Sequence, residues 1–444
     1  MATATGAGAP VKATRRELWA WYLYDFGNSA YAAVVLLAVY SAYFKGTVVG
    51  GAEGSRLWGL SVGIAMLAVA VTSPIVGVIA DYTARKKGFL FFFTALACVF
   101  TGALFFVRKG DIVMGMVFFI LAEFGYRSAQ VFYDALLPEL ASPEEMGRIS
   151  GNGWAIGSLG GIVCLLIILP LIMFIGGEFI TRLSLVITAV FYAVSSVPVF
   201  LWVRERAKPQ AAPKGTSLVA VGFKRLWSTF KKARHFREYI KFIISFLVYN
   251  DGILMAMDFS AIIGAVLFGM KQEQLVIFMI IVQITSVAGA YVFGVLTDKT
   301  SGKRSLVISL LLMLAAIVWM FFNESLTAFF VIGGLAGFAL TGVQSVSRTV
   351  VGMFSPPGQS GEFYGLFAVS GRTSSFIGPT IYGWLAAEAA LWYQARGHAT
   401  LAAEQMGQRV AIISIAVFLV AGLLLLLTVN ERKARAAATQ PASE

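Results

Sequence analysis

Cysteine and histidine are almost missing from this 444-residue chain, with two of each, and charged residues make up only 13% of it. Cys98 and Cys164 lie in separate apolar runs with no C-x-x-C spacing and no histidine nearby. Neither a disulfide framework nor a metal site is expected, and both read as packing residues. His235 and His398 fall between apolar runs, so a proton relay inside the chain would have to use carboxylates. The chain holds no G-x-x-x-x-G-K-[ST] phosphate loop and no soluble domain to carry one, which disfavours a nucleotide-driven pump. It also lacks H-E-x-x-H and any nucleophile and base paired inside an apolar run, which argues against an enzyme.

With charge so scarce, 58% of the residues are hydrophobic and the mean hydropathy is +0.79. No soluble core buries that much apolar surface, so the solvent must be lipid. A hydrocarbon core of about 30 Å takes about 20 helical residues to cross. Twelve apolar stretches of that kind follow one another, at 18–44, 57–80, 88–107, 112–137, 149–175, 182–203, 239–268, 273–297, 305–322, 326–354, 363–387 and 410–429. The expected fold class is therefore an all-α membrane protein. The first sixteen residues, small and polar with Lys12, Arg15 and Arg16, do not read as a cleaved signal peptide.

The net charge of +12 sits in short loops beside the spans, which makes it a topology signal rather than a nucleic-acid surface. Lys and Arg number 24 on the side of the N-terminus against 8 on the other and 3 inside spans, so both termini are expected in the cytoplasm. The expected organisation is a tail at 1–17, a six-helix lobe at 18–203, a basic linker at 204–238, a second six-helix lobe at 239–429 and a tail at 430–444. Within the linker, Val221 to Phe236 has the composition of a basic amphipathic helix for an anionic membrane surface, and a solvated linker is the alternative.

An internal repeat supports the halving. Gly77, Asp81, Arg85, Lys86 and Lys87 follow span 2 in the pattern G-x-x-x-D-x-x-x-R-K-K, and Gly294, Asp298, Lys303 and Arg304 echo it after span 8 at a fixed offset. Farther along, Gln130 matches Gln344, Gly151 matches Gly365 and Gly157 matches Gly371. Parallel duplication of a six-helix unit typifies two-lobed carriers whose substrate site lies near the midplane between the halves.

The duplicated loop resembles the signature motif of the major facilitator superfamily. Within it the chain resembles the vacuole-effluxer, autophagy-related family through five segments: Trp21 to Tyr31, Phe132 to Glu139, Ser150 to Gly157, Tyr249 to Gly252, and Gly378-Pro379. Gly27 stands where that pattern leads one to expect Ala, and Asp134 where it leads one to expect a neutral amide. The resemblance implies the major facilitator fold, twelve transmembrane helices in two six-helix pseudo-symmetric lobes, with helices 1, 4, 7 and 10 lining a central cavity. It implies secondary active transport, with amino-acid efflux as the associated activity.

A charge at membrane depth costs roughly 3 kcal/mol, so ionisable residues inside spans are candidates for function. Asp25, Glu123, Arg127, Asp134, Asp251, Asp258 and Arg348 all fall on spans 1, 4, 7 and 10, and Arg372 falls on span 11. Asn28, Gln130, Trp154, Asn250 and Gln344 share those neighbourhoods and complete the candidate cavity. Glu123 and Arg127, spaced i, i+4, can also neutralise one another as a structural pair. Asp251, near the midplane, is the leading candidate for a protonatable or substrate-contacting carboxylate. Gly77, Asp81, Arg85, Lys86, Arg148, Gly294, Asp298, Lys303 and Arg304 form a candidate gate in the loops. Gly153, Gly157, Gly160 and Gly161 sit at the small-residue spacing that lets helices approach closely.

The leading functional reading is an exporter of a small polar metabolite, such as an amino acid, working by alternating access. The alternatives are an efflux carrier for an amphipathic compound or lipid, and a receptor or scaffold on the same fold. The expected partners are the small-molecule substrate, the lipid bilayer and protons as coupling ion. No cofactor, metal or nucleic acid is called for, and a monomer in a prokaryotic inner membrane is expected.

Overall fold

The computed structural model describes residues 13–141, 143–206, 236–355, 363–364, 366–367, 370–371 and 375–439. Among these all regular structure is helical, as a bilayer demands, because backbone groups left unpaired in hydrocarbon find no water. The first helix, α1, runs from Arg15 to Val49 in four stretches: α-helical Arg15–Tyr31, π-helical Ala32–Ala38, α-helical Tyr40–Tyr43 and π-helical Phe44–Val49. Next come α2 (Gly51–Thr83), α3 (Lys86–Ala103), α4 (Ile112–Leu140), α5 (Pro143–Phe174) and α6 (Gly177–Trp202). The second lobe opens with α7 (Arg237–Asp258), which Ser260–Phe268 continues past a break at Phe259. It goes on through α8 (Gln272–Lys299), α9 (Gly302–Phe322), α10 (Leu326–Phe354), α11 (Ile377–Gln394) and α12 (Thr400–Leu427), with a short α13 (Glu431–Thr439) after it.

Among the described residues, eleven helices are long and apolar enough to cross a membrane. The twelfth expected span, at 363–387, is described only in part, and its described helix is α11. Exposed apolar side chains such as Phe91, Phe92, Val194, Leu201, Val417 and Leu424 give the bundle its lipid-facing surface. Several helices overrun the hydropathy-based spans. α1 reaches Val49 rather than 44, α2 begins at Gly51 rather than 57, and α12 begins at Thr400 rather than 410. The overrunning turns carry Lys45, Arg56 and Glu404, charges that lower the local hydropathy but find partners in the fold. Of the linker at 204–238, only residues 204–206 and 236–238 are among those described.

The two lobes repeat one clasp at their terminus side. α1 starts on a capping box, with Glu17 N–H donating to Thr14 Oγ1 at 3.2 Å and Thr14 N–H donating to Glu17 Oε2 at 2.8 Å. The same Glu17 accepts the Arg204 N–H at 3.2 Å and pairs with Arg206 at 2.9 Å, just past α6. In the second lobe Glu238, at the start of α7, accepts the Asn430 N–H at 2.6 Å, just past α12. Lys87 donates from Nζ to the carbonyls of Phe200 at 2.9 Å and Val203 at 2.6 Å, and its own N–H donates to Glu205 at 2.9 Å. Lys303 does the same with Leu427 at 2.7 Å, Val429 at 2.6 Å and Glu431 at 3.1 Å. A lysine from the duplicated loop therefore satisfies the carbonyls left without intrahelical partners at the end of its lobe's last helix.

Replacing Lys303 by Met, which keeps the stem and removes the donor, should lower the unfolding free energy by about 1 kcal/mol, the size of a partly exposed hydrogen bond to a charged group. Lys87→Met should match it. Thermal unfolding of the purified protein measures both, and a clasp role requires the two losses to be similar.

Candidate functional site

On the side opposite the termini the lobes are drawn together. α2 and α11 cross at Gly59 and Gly383, where a Cβ on Gly383 would lie 2.5 Å from the Ser55 carbonyl and 3.1 Å from Gly59 Cα. A Cβ on Gly59 would strike the Pro379 carbonyl, so the crossing is backbone against backbone. Lys45 of α1 pairs with Glu404 of α12, both nearly buried, and Arg56 of α2 pairs with Glu388 of α11. Gln408 donates to Ser55 Oγ at 2.8 Å and accepts from the Tyr382 hydroxyl at 2.9 Å. Gln272 at the start of α8 donates to the Ala38 carbonyl, where the π-helical stretch of α1 ends. The Trp58 indole N–H, in an aromatic cluster with Tyr40, Phe44 and Phe119, donates to the Asp258 carbonyl at 2.8 Å.

Toward the terminus side the same interface carries exposed charge. Asp134 of α4 and Arg348 of α10 both act electrostatically on Asp25 of α1, with Asp134 and Arg348 exposed and Asp25 partly so. Asn28, one turn above Asp25, is buried. The Asp25 carboxylate rests on Gly157 of α5, where a Cβ would displace it, and Gly160 gives the α1 backbone the same close approach at Phe26. Trp21 fixes α1 to α4 by donating its indole N–H to the Tyr133 carbonyl at 3.1 Å and stacking on the Tyr133 ring at 4.4 Å. This places Asp134, the next residue, at the cleft. Gly27 lets α6 approach, since a Cβ there would lie 2.7 Å from Ser195 Cβ. Trp154 on α5 is partly exposed, and Gln130 lies beside Tyr126.

Deeper in the interface lies a second polar group. Arg127 donates from Nε to Glu123 Oε1 at 2.7 Å, and Glu123 is fully buried. Tyr31 stacks on Tyr126 at 4.4 Å, its hydroxyl beside the Glu123 carboxylate without closing a hydrogen bond to it. Asp258, from the other lobe, is 2% exposed and within electrostatic range of Arg127 and Glu123. Among the described residues, Glu123 Oε2, Asp258 Oδ2 and the Tyr31 hydroxyl have no hydrogen-bond partner. In the second lobe Gln344 of α10 donates to Asn250 of α7 at 3.3 Å, and Asp251 is buried against α11 at Gly378.

The structure thus brings Asp25, Glu123, Arg127, Asp134, Asp258 and Arg348 to one interface. The residues matched belong to a known family: the profile described as "Vacuole effluxer Atg22 like" covers residues 58–439. The chain belongs to that family. An uncharacterized MFS-type transporter, YxiO, of Bacillus subtilis (strain 168) is 27% identical over 372 residues, spanning 81% of this chain and 86% of that protein. Autophagy-related protein 22 of Yarrowia lipolytica (strain CLIB 122 / E 150) is 27% identical over 264 residues, 53% of this chain and 45% of that protein. The chain thus spans under half of the fungal relative's length. A bacterial homolog of the human lysosomal transporter Spinster superposes with a TM-score of 0.72 at 13% identity, over 96% of this chain and 98% of that one. The nucleoside transporter NupG does so with a TM-score of 0.71 at 12% identity, over 94% and 100%. The fold is that of the major facilitators, and this Atg22-like chain is a secondary transporter of that type.

Among the gate candidates of this Atg22-like chain, Lys86 donates to Glu139 at 2.9 Å and Lys303 clasps α12, so both bond within their own lobes here. The Arg85 and Arg304 side chains are exposed. Arg372 and the side chains of Asp81, Arg148 and Asp298 lie outside the described residues. Sequence reasoning missed Lys45, Arg56, Ser55, Glu388, Glu404 and Gln408. The available signal was that Lys45 and Glu404 border apolar runs within a turn or two, where a charge needs a partner.

Gly59→Val should prevent α2 and α11 from meeting and so open the side opposite the termini. A cysteine introduced at Ala52, which packs on Ala387 and Ala390 of α11, should then label with an impermeant maleimide at least tenfold faster than in the parent. Equal labelling would remove the crossing from the seal.

Proposed function

We propose that this transporter exports a small zwitterionic metabolite, such as an amino acid, by alternating access, and that the structure represents the state open to the cytoplasm. The observation that carries the reading is the convergence of Asp25, Asp134 and Arg348 on the unsealed side of the interface. Carboxylates suit an ammonium group, and a guanidinium suits a carboxylate through two parallel hydrogen bonds. The charge asymmetry of the loops supports a cytoplasmic location for residues 1–17, 204–238 and 430–444, in a prokaryotic inner membrane. A monomer with its substrate cavity between the lobes is the expected functional unit.

The duplicated motif fits a gate on the cytoplasmic side. A Cβ on Gly77 or on Gly294 would meet nothing within 4 Å among the described residues, so none of those requires either glycine for packing in this state. Their smallness becomes useful when the lobes close there. Gly77→Val should fold normally and keep the outer side sealed, yet slow exchange at least tenfold by obstructing cytoplasmic closure. Unaltered exchange by Gly77→Val in reconstituted vesicles would reject that role.

The substrate class is tested by thermal stabilisation of the purified protein against a panel of amino acids, nucleosides and amphipathic compounds, since a ligand that binds only the folded state raises its stability. Amino acids should stabilise the wild type. Arg348→Ala should weaken that effect by about 2 kcal/mol, roughly 30-fold in affinity, with Arg348→Lys in between. Stabilisation by amphipathic compounds alone would replace the substrate class with the second reading and leave the transporter type standing.

A further inference from the structure

Asp258 occupies a position that the cleft at Asp25 and Arg348 does not explain. It ends α7 just before the break at Phe259, directly beneath the seal, and Trp58 of the opposite lobe is fastened to its carbonyl at 2.8 Å. Phe259 packs at 4.1 Å, tilted, against Tyr382, which belongs to the hydrogen-bonded chain running through Gln408 to Ser55. Anything that changes the charge on Asp258 acts at the foot of the structure that holds the two lobes together.

The charges facing it can be named element by element. α4 presents Arg127 and Glu123, and behind these two lie the Tyr126 ring of α4 and the Tyr31 hydroxyl of α1. α11 contributes Tyr382, and toward the outside Lys45 of α1 and Glu404 of α12 are closed on each other. The nearest cation, Arg127, is held by Glu123 through Nε at 2.7 Å. Two carboxyl groups therefore share one guanidinium, and Asp258 Oδ2, in a residue 2% exposed, has no hydrogen-bond partner among the described residues. A buried carboxylate that must share its one countercharge with another carboxylate is the costly form, whereas a neutral carboxyl at the same place is tolerated.

Building on the transporter reading, we propose that Asp258 is the proton-binding site that governs closure of the side opposite the termini. An O–H bond forms on its carboxyl with a proton from the water on that side, and the neutral group allows the Trp58 seal to close over it. When that bond breaks and the proton returns to water, the bare carboxylate makes the sealed state costly and favours parting of α2 and α11. With one proton linked to closure, the ratio of open to sealed molecules rises with pH by up to about tenfold per unit across the transition.

The test measures the distance between spin labels on Lys109→Cys and His398→Cys, two exposed loop positions of opposite lobes on the sealed side, in a Cys98→Ser/Cys164→Ser background reconstituted in lipid vesicles. The distance should be short at acid pH, with a longer population growing as pH rises. Asp258→Asn should remain in the short state throughout, and Asp258→Glu should keep the pH dependence, which separates protonation from loss of folding. A parent distance that does not move with pH, an unchanged pH dependence in Asp258→Asn, or a shift that follows sodium at fixed pH would each overturn the proposal. No substrate enters the measurement, so its failure leaves the transporter reading intact, and a pH-driven opening without any exchange would count against that reading alone.

Discussion

Water has to be kept out of one end of a polar interface between two lobes that meet inside lipid, and the crossing of α2 on α11 at Gly59 and Gly383 makes that possible. Only at glycine can two helix backbones come this close. The close approach brings Arg56 to Glu388 and Ser55 to Gln408, and beside it Lys45 reaches Glu404. Those charged groups are tolerable in the membrane because each finds its partner in the opposite lobe. The seal is therefore self-consistent: separating the helices also separates the charges.

A seal of this kind can move only if the lobes are stiff. The paired clasps supply that stiffness at the opposite end, where Lys87 and Lys303 each bind the last carbonyls of their lobe's sixth helix and Glu17 and Glu238 hold its following backbone N–H groups. These bonds stay inside a lobe, so they are compatible with either position of one lobe against the other. Small changes at the interface can then be converted into a body movement rather than dissipated as local bending.

Charge is distributed along the interface in two levels. Near the terminus side Asp25, Asp134 and Arg348 bring both signs of charge toward solvent. Deeper in, Glu123 and Asp258 are withdrawn from water beside the half-buried Arg127, two acids to one base, with Glu123 Oε2 and Asp258 Oδ2 unpartnered among the described residues. The first level is arranged for exchange with the aqueous phase. The second responds to any event that alters charge in a dry site. Membership of the Atg22-like family and the major facilitator fold set these levels in a two-lobed carrier.

The sequence alone determined the all-helical membrane class, the halving into two lobes and the concentration of charge on helices 1, 4, 7 and 10, because apolar length and duplicated motifs are properties of the chain in order. It also pointed to Glu123 and Arg127 as a pair, since i, i+4 spacing puts both on one helix face. It could not show that Lys45 meets Glu404 or that Arg56 meets Glu388, residues hundreds of positions apart that hydropathy assigns to loops. It put Asp251 ahead of Asp258 on depth in the span alone, without seeing that Asp251 packs against α11 or that Asp258 lies under Trp58. Those distinctions depend on which helix faces which, and only the tertiary packing decides them: pairing across the lobes lowers the cost of a buried charge, and a sequence carries no record of the partner's distance.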